Sequence, residues 1–254
     1  MEKMESKIFV ITHKPYAMPK DPIYQPVLVG TSLRPDLEGV DGYIKDDLND
    51  NISLKNKTYC ELTGLYWIWR NCDMDFYGLV HYRRLFASSS NRKAPISGDE
   101  AKGIMKDCDL VLPRKRHYYI ETVQSQYAHA HNQRDLDVTR EALLQLSPEY
   151  VKDFDALMKK RSLHILNMFI GRKSLVDSYC SWLFPILSYV EDHLDTSNYS
   201  NYNKRVFGFL SERLFNVWVN HNNIRYKTLR VLTLEDQHWV RKILSFLKRK
   251  FKAS

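Results

Sequence analysis

The sequence predicts an α/β fold: a mainly parallel sheet flanked by helices, with a helix-rich C-terminal half. Three observations carry that prediction. Residues 7–12, 76–80 and 109–112 are short runs rich in β-branched, aromatic and leucine side chains, the pattern of strands buried on both faces. Helical spacing occupies the intervals before the second and third runs, which gives the β-α-β order of a parallel sheet. Beyond about residue 120 the periodicity is helical almost throughout. With 254 residues, 44% hydrophobic and 27% charged, the chain can bury a sizeable core, most simply as one domain. Nine glycines, nine prolines and no fixed-period repeat exclude disordered, collagenous and solenoid classes.

Each element has its own signal. Residues 7–12 form the first strand. Over residues 58–70, Tyr59, Leu62, Tyr66 and Trp69 recur at helical spacing, and Ser53 stands upstream as a cap. The run 76–80 is the second strand, residues 102–106 belong to a short helix, and 109–112 is the third strand. Residues 121–131, 137–146 and 149–160 read as helices, the last opened after Pro148, and 163–170 as a returning strand. Helices over 174–194 and 206–219 flank a polar loop of turn formers, residues 195–203. No composition break divides residues 1–238, so they read as one domain, with a first half to about residue 120 and a second half from 121.

The first six residues are mostly polar or charged, and the apolar run that follows, residues 8–11, is too short for a signal core or a span. The longest apolar stretch, residues 182–190, is broken by Pro185 and Ser188 and is about half of the ~20 residues a membrane helix needs. A cytoplasmic location without a transmembrane helix is therefore expected. Cys60, Cys72, Cys108 and Cys180 form no C-x-x-C pair and stand at no zinc-finger spacing, so free thiols are expected.

The chain carries a net +8, but six of those charges come from Arg241, Lys242, Lys248, Arg249, Lys250 and Lys252, in a sixteen-residue tail without an acid. The other 238 residues carry only +2. In that tail Trp239, Val240, Ile243, Leu244, Leu247 and Phe251 fall at helical spacing, so residues 239–254 read as a basic amphipathic helix suited to an anionic membrane surface. The alternative is a helix packed on the core with its lysines in water. A nucleic-acid partner would spread cations and aromatics along a groove, which this distribution does not do.

Ligands of open parallel sheets bind beyond the carboxyl ends of the strands. The three predicted strands run into Thr12-His13-Lys14, His81-Tyr82-Arg83-Arg84 and Arg114-Lys115-Arg116-His117. Cationic side chains thus gather at one edge, the layout of an anion site and most economically of a diphosphate. If residues 81–84 stay extended, His81 and Arg83 share a face. Arg83 then offers a fork to phosphate oxygens, beside His81 as donor or leaving-group acid. Arg84 is either a second ligand or the partner of an acid such as Glu61 or Glu212. Acid pairs do occur, at Asp73 and Asp75 and at Asp107 and Asp109, but each precedes its strand and so falls at the far edge. His129 and His131 stand two apart, a spacing that parts them on a helix. Dinucleotide, P-loop, zincin and nucleophile-elbow motifs are absent from the sequence.

Several of these stretches together resemble a known family. Residues 7–15, Asp50-Asn-Ile-Ser53 through Asn56 into Tyr59-Cys-Glu-Leu-Thr63, Tyr66-Trp67, and Gly78 with His81-Tyr-Arg-Arg84 are similar to a family of bacterial capsule and exopolysaccharide glycosyltransferases, long catalogued as a domain of unknown function. The likeness continues through residues 112–122, Asp135-Leu-Asp137, Asn167-Met-Phe169 and residues 208–215, and covers about residues 7–235.

The resemblance implies a GT-A-like fold with a nucleotide-binding half and an acceptor-binding half. It also implies inverting transfer of a hexose, galactofuranose from UDP-galactofuranose or another UDP-hexose, to a lipid-linked cell-surface glycan. The enzyme would work at the inner face of the plasma membrane. With H-Y-R-R where a D-x-D would stand, no metal and no cofactor are expected. Carried onto this sequence, Thr12 and His13 would meet the uracil or ribose, and Asp46 or Asp47 the ribose hydroxyls. His81 and Arg83, with Arg84, Lys55 and Arg114 as helpers, would hold the diphosphate. Glu212 would take the acceptor proton, unless it serves only to pair with an arginine, and Glu121 and Asp135 are its reserves. Tyr118, Tyr119, His129 and Trp182 would contact the acceptor. The rival reading is a non-catalytic scaffold in polysaccharide assembly.

Overall fold

The computed structural model describes residues 5–37 and 40–234. In chain order, β1 (Ser6–Thr12), β2 (Tyr24–Leu28) and β3 (Ile44–Lys45) precede α1 (Asn56–Tyr59) and α2 (Leu62–Asn71). Next come β4 (Phe76–His81), β5 (Arg84–Phe86), α3 (Gly98–Asp107), β6 (Leu110–Pro113) and β7 (Arg116–His117). The second half comprises α4 (Val123–Ala130), α5 (Gln133–Leu146), α6 (Val151–Met158), β8 (Ser162–Leu163), β9 (Phe169–Arg172), α7 (Lys173–His193), α8 (Val206–His221), β10 (Tyr226–Leu229) and β11 (Val231–Thr233).

The central sheet runs β10-β6-β9-β4-β1-β2-β3, and of these strands only β9 opposes the common direction. A β4–β5 hairpin joins β5 to β11 beside this path. The expected α/β architecture is thus present, as a mixed sheet. The runs predicted as strands succeed because both of their faces are covered. Phe9 and Ile11 of β1 enter one core, beneath α2, α5, α7 and α8, while Ile8 and Val10 enter a second core with α3 and the β5 hairpin. Both cores are apolar, so the alternation that marks a half-exposed strand is lost.

Three local expectations change. The helix expected over 58–70 is two helices, because Cys60 takes φ 53° and ψ −126° between them. Ser53 caps neither; its hydroxyl donates to Asp46. The returning strand over 163–170 divides into β8 and β9, since Leu166 and Asn167 between them adopt left-handed φ of 84° and 48°. In the sheet β9 lies between β4 and β6. The amphipathic helix predicted over 239–254 lies outside the described residues.

All four cysteines are free thiols, Cys108 and Cys180 buried. Among the described residues no helix is long and apolar enough to cross a membrane.

Candidate functional site

A cleft of about 720 Å³ opens at the carboxyl ends of β1 and β4, a size suited to a ligand of nucleotide-sugar dimensions. One wall is built by the strand ends. As β1 stops, the Thr12 hydroxyl donates to the Lys14 carbonyl and accepts from the Lys14 N–H, closing a turn that sets His13 at the cleft. Burial, and then the charges of Lys14 and Arg83, hold His13 below the ordinary imidazole pKa.

Residues 81–84 do not stay extended, which corrects the expected sharing of a face by His81 and Arg83. His81 pairs with Arg84 across a tight turn at Tyr82 and Arg83, because the chain doubles back to place β5 against β11. Tyr82 is buried edge-on against His13 and Tyr16, at ring separations of 5.3 and 4.9 Å, and the Arg83 guanidinium lies 4.8 Å from the Tyr82 ring centre. The turn residues are therefore fixed by an aromatic cluster. Arg84 is exposed at the cleft, and among the described residues it forms no ion pair with Glu61 or Glu212.

The opposite wall carries carboxylates. Leu166, in its left-handed conformation, stands between the two chemistries: its carbonyl accepts from Nε2 of His81, and its N–H donates to Glu212 at 2.7 Å. With Nε2–H committed there, Nδ1 of His81 carries a proton only in the imidazolium form. The other oxygen of Glu212 accepts from Arg213 at 2.9 Å. Arg213 is itself buried, bonded to the Phe209 carbonyl and lying 4.9 Å from the Tyr127 ring centre. Burial pushes the Glu212 carboxyl above the ordinary glutamate value; Arg213 and the Leu166 N–H oppose that shift. A second carboxylate, Glu61, lines the same wall and accepts from the Asn167 amide at 2.7 Å.

Of the residues singled out from the sequence, Thr12, His13, His81, Arg83, Arg84, Arg116, Tyr118 and Glu212 line this cleft. The others lie elsewhere. Asp46 is wholly buried, and its carboxylate accepts from the N–H groups of Gly30 and Thr31 and from the hydroxyls of Thr31, Ser53 and Thr63. A carboxylate so engaged does not reach a ribose; it ties three loops and α2 together. Gly30 completes this knot, because at φ 70° an added Cβ would meet the Asn56 side chain at 2.6 Å.

Asp47 is half-buried off the cleft lining, and Lys55 pairs with Glu191 on α7. Arg114 is exposed, and Tyr119 is 83% exposed on the outer surface. Glu121 and His129 pair with each other away from the cleft. Asp135 is buried between the hydroxyls of Tyr127 and Tyr199, which rules out its role as a reserve base facing the acceptor. Trp182 packs on Tyr150, with ring centres 4.7 Å apart, and lies outside the cleft.

The sequence reading passed over Glu61 as a site residue, and over Arg205, Arg213 and a wall formed by His131, Tyr202 and Phe209. His131 caps the end of α4 and stacks on Phe209 at 4.1 Å, so the two histidines that helical spacing parts do have separate fates. At the amino edge of the sheet, Asp107 and Asp109 pair with Lys227, Arg172 and Arg225, while Asp75 accepts from the Glu5 N–H. Among the described residues no three His, Cys, Asp or Glu side chains gather as a metal-ligand set.

Residues 7–223 match a family described as a domain of unknown function, DUF4422. No curated protein matches the chain. Among solved structures the chain is similar to the bifunctional glycosyltransferase WbbM in its apo form, at 29% identity and a TM-score of 0.80. That likeness covers 91% of this chain but 45% of WbbM, so the chain spans less than half of its neighbour's length. The shared fold agrees with the GT-A-like class expected from the sequence. Since the match takes in β1, β4, the cationic turn and both cleft carboxylates, the chain belongs to the DUF4422 family.

Proposed function

We propose that the chain is a glycosyltransferase that moves a hexose from a UDP-linked donor to a cell-surface glycan. The observation that carries this reading is the cleft itself, where a cationic turn and a half-buried carboxylate meet on the backbone of Leu166. A fold shared with WbbM supports the reaction class.

In this reading the donor diphosphate lies against Arg83 and Arg84, and the nucleoside reaches toward Thr12 and His13. The acceptor sugar rests near Tyr118 and the His131, Tyr202 and Phe209 wall, where aromatic faces suit its C–H surfaces. The acceptor hydroxyl oxygen attacks the anomeric carbon as the bond to the UDP oxygen breaks, and its proton passes to Glu212. Departing UDP carries the extra negative charge, which the arginines offset without a metal. A raised pKa suits Glu212 to the role of base, because a proton acceptor works best when its pKa approaches the working pH. Glu61 is the second reading for the base, since its one bond to Asn167 leaves the carboxylate open to the cleft.

For the donor we propose galactofuranose from UDP-galactofuranose, and for the acceptor a lipid-linked capsule, exopolysaccharide or O-antigen chain, met at the inner membrane face with residues 239–254 as an anchor. Purified protein screened against a panel of UDP-sugars, with and without chelator, tests the reading. Donor hydrolysis and thermal shift with UDP-galactofuranose, unchanged by chelator, are expected. Binding of no UDP-sugar at all would support a scaffold instead, and loss of turnover with chelator would require a metal.

A further inference from the structure

The third strand exit sends only Arg116 to the cleft lining, and its other cations build a surface. Arg114, Lys115, Arg116 and His117 are all exposed. Pairing of β7 with β8 brings Lys159, Lys160 and Arg161, also exposed, alongside them. Among the described residues none of these six lysines and arginines forms an ion pair with a carboxylate. Glu121 is paired with His129, and Asp155, four residues before Lys159, is paired with Arg140.

The tip of this ribbon is apolar. Tyr119 and Ile120 are 83% and 87% exposed, more than any other large hydrophobic side chains described. They are held outward by the backbone. Tyr119 takes a left-handed φ of 57°, its carbonyl accepts from Arg161, and the Ile120 N–H bonds back to the Tyr118 carbonyl. Behind them the Thr122–Ser125 capping box and the bond from Val123 N–H to the Lys160 carbonyl fix the start of α4. Two large apolar side chains fixed in water, at the centre of a cationic field, have the composition of an interfacial anchor: apolar groups enter the headgroup boundary while lysines and arginines meet anionic lipid.

We propose that the β7–β8 ribbon, with Tyr119 and Ile120 at its tip, docks the protein on an anionic lipid surface. An RNA-binding surface would use the same cations and stack bases on aromatic faces, but Ile120, the more exposed of the pair, offers no stacking face, so lipid is the better fit. Docking also sets direction. Arg116 and Tyr118 of the same ribbon line the cleft, so the mouth of the cleft comes to lie beside the membrane. The contact is separate in sequence from the basic tail and does not depend on which reaction the cleft performs.

Hydrogen exchange of the full-length protein with phosphatidylglycerol-containing vesicles, pure phosphatidylcholine vesicles and a single-stranded RNA tests it. Protection of residues 114–121 by the anionic vesicles alone is expected, reversed by added salt. In flotation, Tyr119→Ser with Ile120→Ser, and separately Lys115→Glu with Lys160→Glu, should each weaken vesicle binding by roughly tenfold, with the melting temperature unchanged. Vesicle binding without protection of this segment would assign the membrane contact elsewhere and overturn the proposal. Protection by RNA and not by vesicles would overturn it too.

Discussion

Two strand ends of nearly equal composition meet opposite fates in this fold. After β4 the chain reads His81-Tyr82-Arg83-Arg84, and after β6 it reads Arg114-Lys115-Arg116-His117. The first is locked: Tyr82 packs on His13 and Tyr16, and His81 is bonded to Leu166. The second lies in water on a two-stranded ribbon. The difference comes from their neighbours. β4 sits in mid-sheet between β1 and β9, where the segment leading into β9 crowds its end, whereas β6 has β10 outside it. Cations at a strand exit therefore announce an anion only when the strand is central enough for other elements to enclose them.

The largest expected effect lies on the carboxylate wall facing the first strand end. Glu212→Gln should lower kcat by about 10²–10⁴-fold. A base must be ionised, and burial raises the Glu212 pKa. Wild-type activity should thus fail, as pH drops, at a higher pH than an ordinary glutamate would give. If Glu212→Gln keeps that acid limb, the base is Glu61.

Next comes the turn. Arg83→Ala should reduce kcat/KM on the order of 10²–10³-fold, as expected for loss of a group that offsets transition-state charge. It should also weaken UDP binding in calorimetry; unchanged UDP affinity would separate Arg83 from the diphosphate.

A third effect concerns stability beneath the β6 end. His164 is buried with Nδ1 donating to the Pro113 carbonyl and Nε2 without a partner among the described residues, and burial lowers its pKa to about 4 from 6.5. The unfolded chain takes up this proton first, so the contribution of His164 is full above pH 6.5 and fades as pH falls toward 4. Urea unfolding should show a loss of roughly 2 kcal/mol between pH 6.5 and 5. That slope should flatten in His164→Gln, and an equal slope in the variant would refute the assignment.

The smallest effect sharpens the comparison most. Arg114→Ala with Lys115→Ala should leave kcat/KM within about threefold of wild type, since exposed charges at this distance are screened. A loss equal to that of Arg83→Ala would mean that both strand ends serve the donor.

The strands β1, β4 and β6 were legible because burial on both faces imposes a continuous apolar run. β5, β10 and β11 were not, being short and in part exposed, and β2 carries Pro26. Most of the cleft wall built by β1, β4 and α8 could be read, since it follows from strand order and from the run around Glu212. Asp46 could not. An aspartate in a polar loop looks like a ligand, and its five partners come from positions 7 to 17 residues away, brought in by tertiary folding. The antiparallel β9 is likewise invisible locally, because nothing in residues 169–172 says which gap they fill.

That gap has a consequence for how the protein is made. β4 and β6 are synthesised long before β9, which lies between them and joins them only once residue 172 has left the ribosome, and β10, the outer neighbour of β6, follows later still. Until then the growing chain holds two central strands, β4 with one unsatisfied edge and β6 with two, open to pairing with another nascent copy. Translation that slows before this point prolongs the exposure, and one that runs through it lets the chain seal its own sheet.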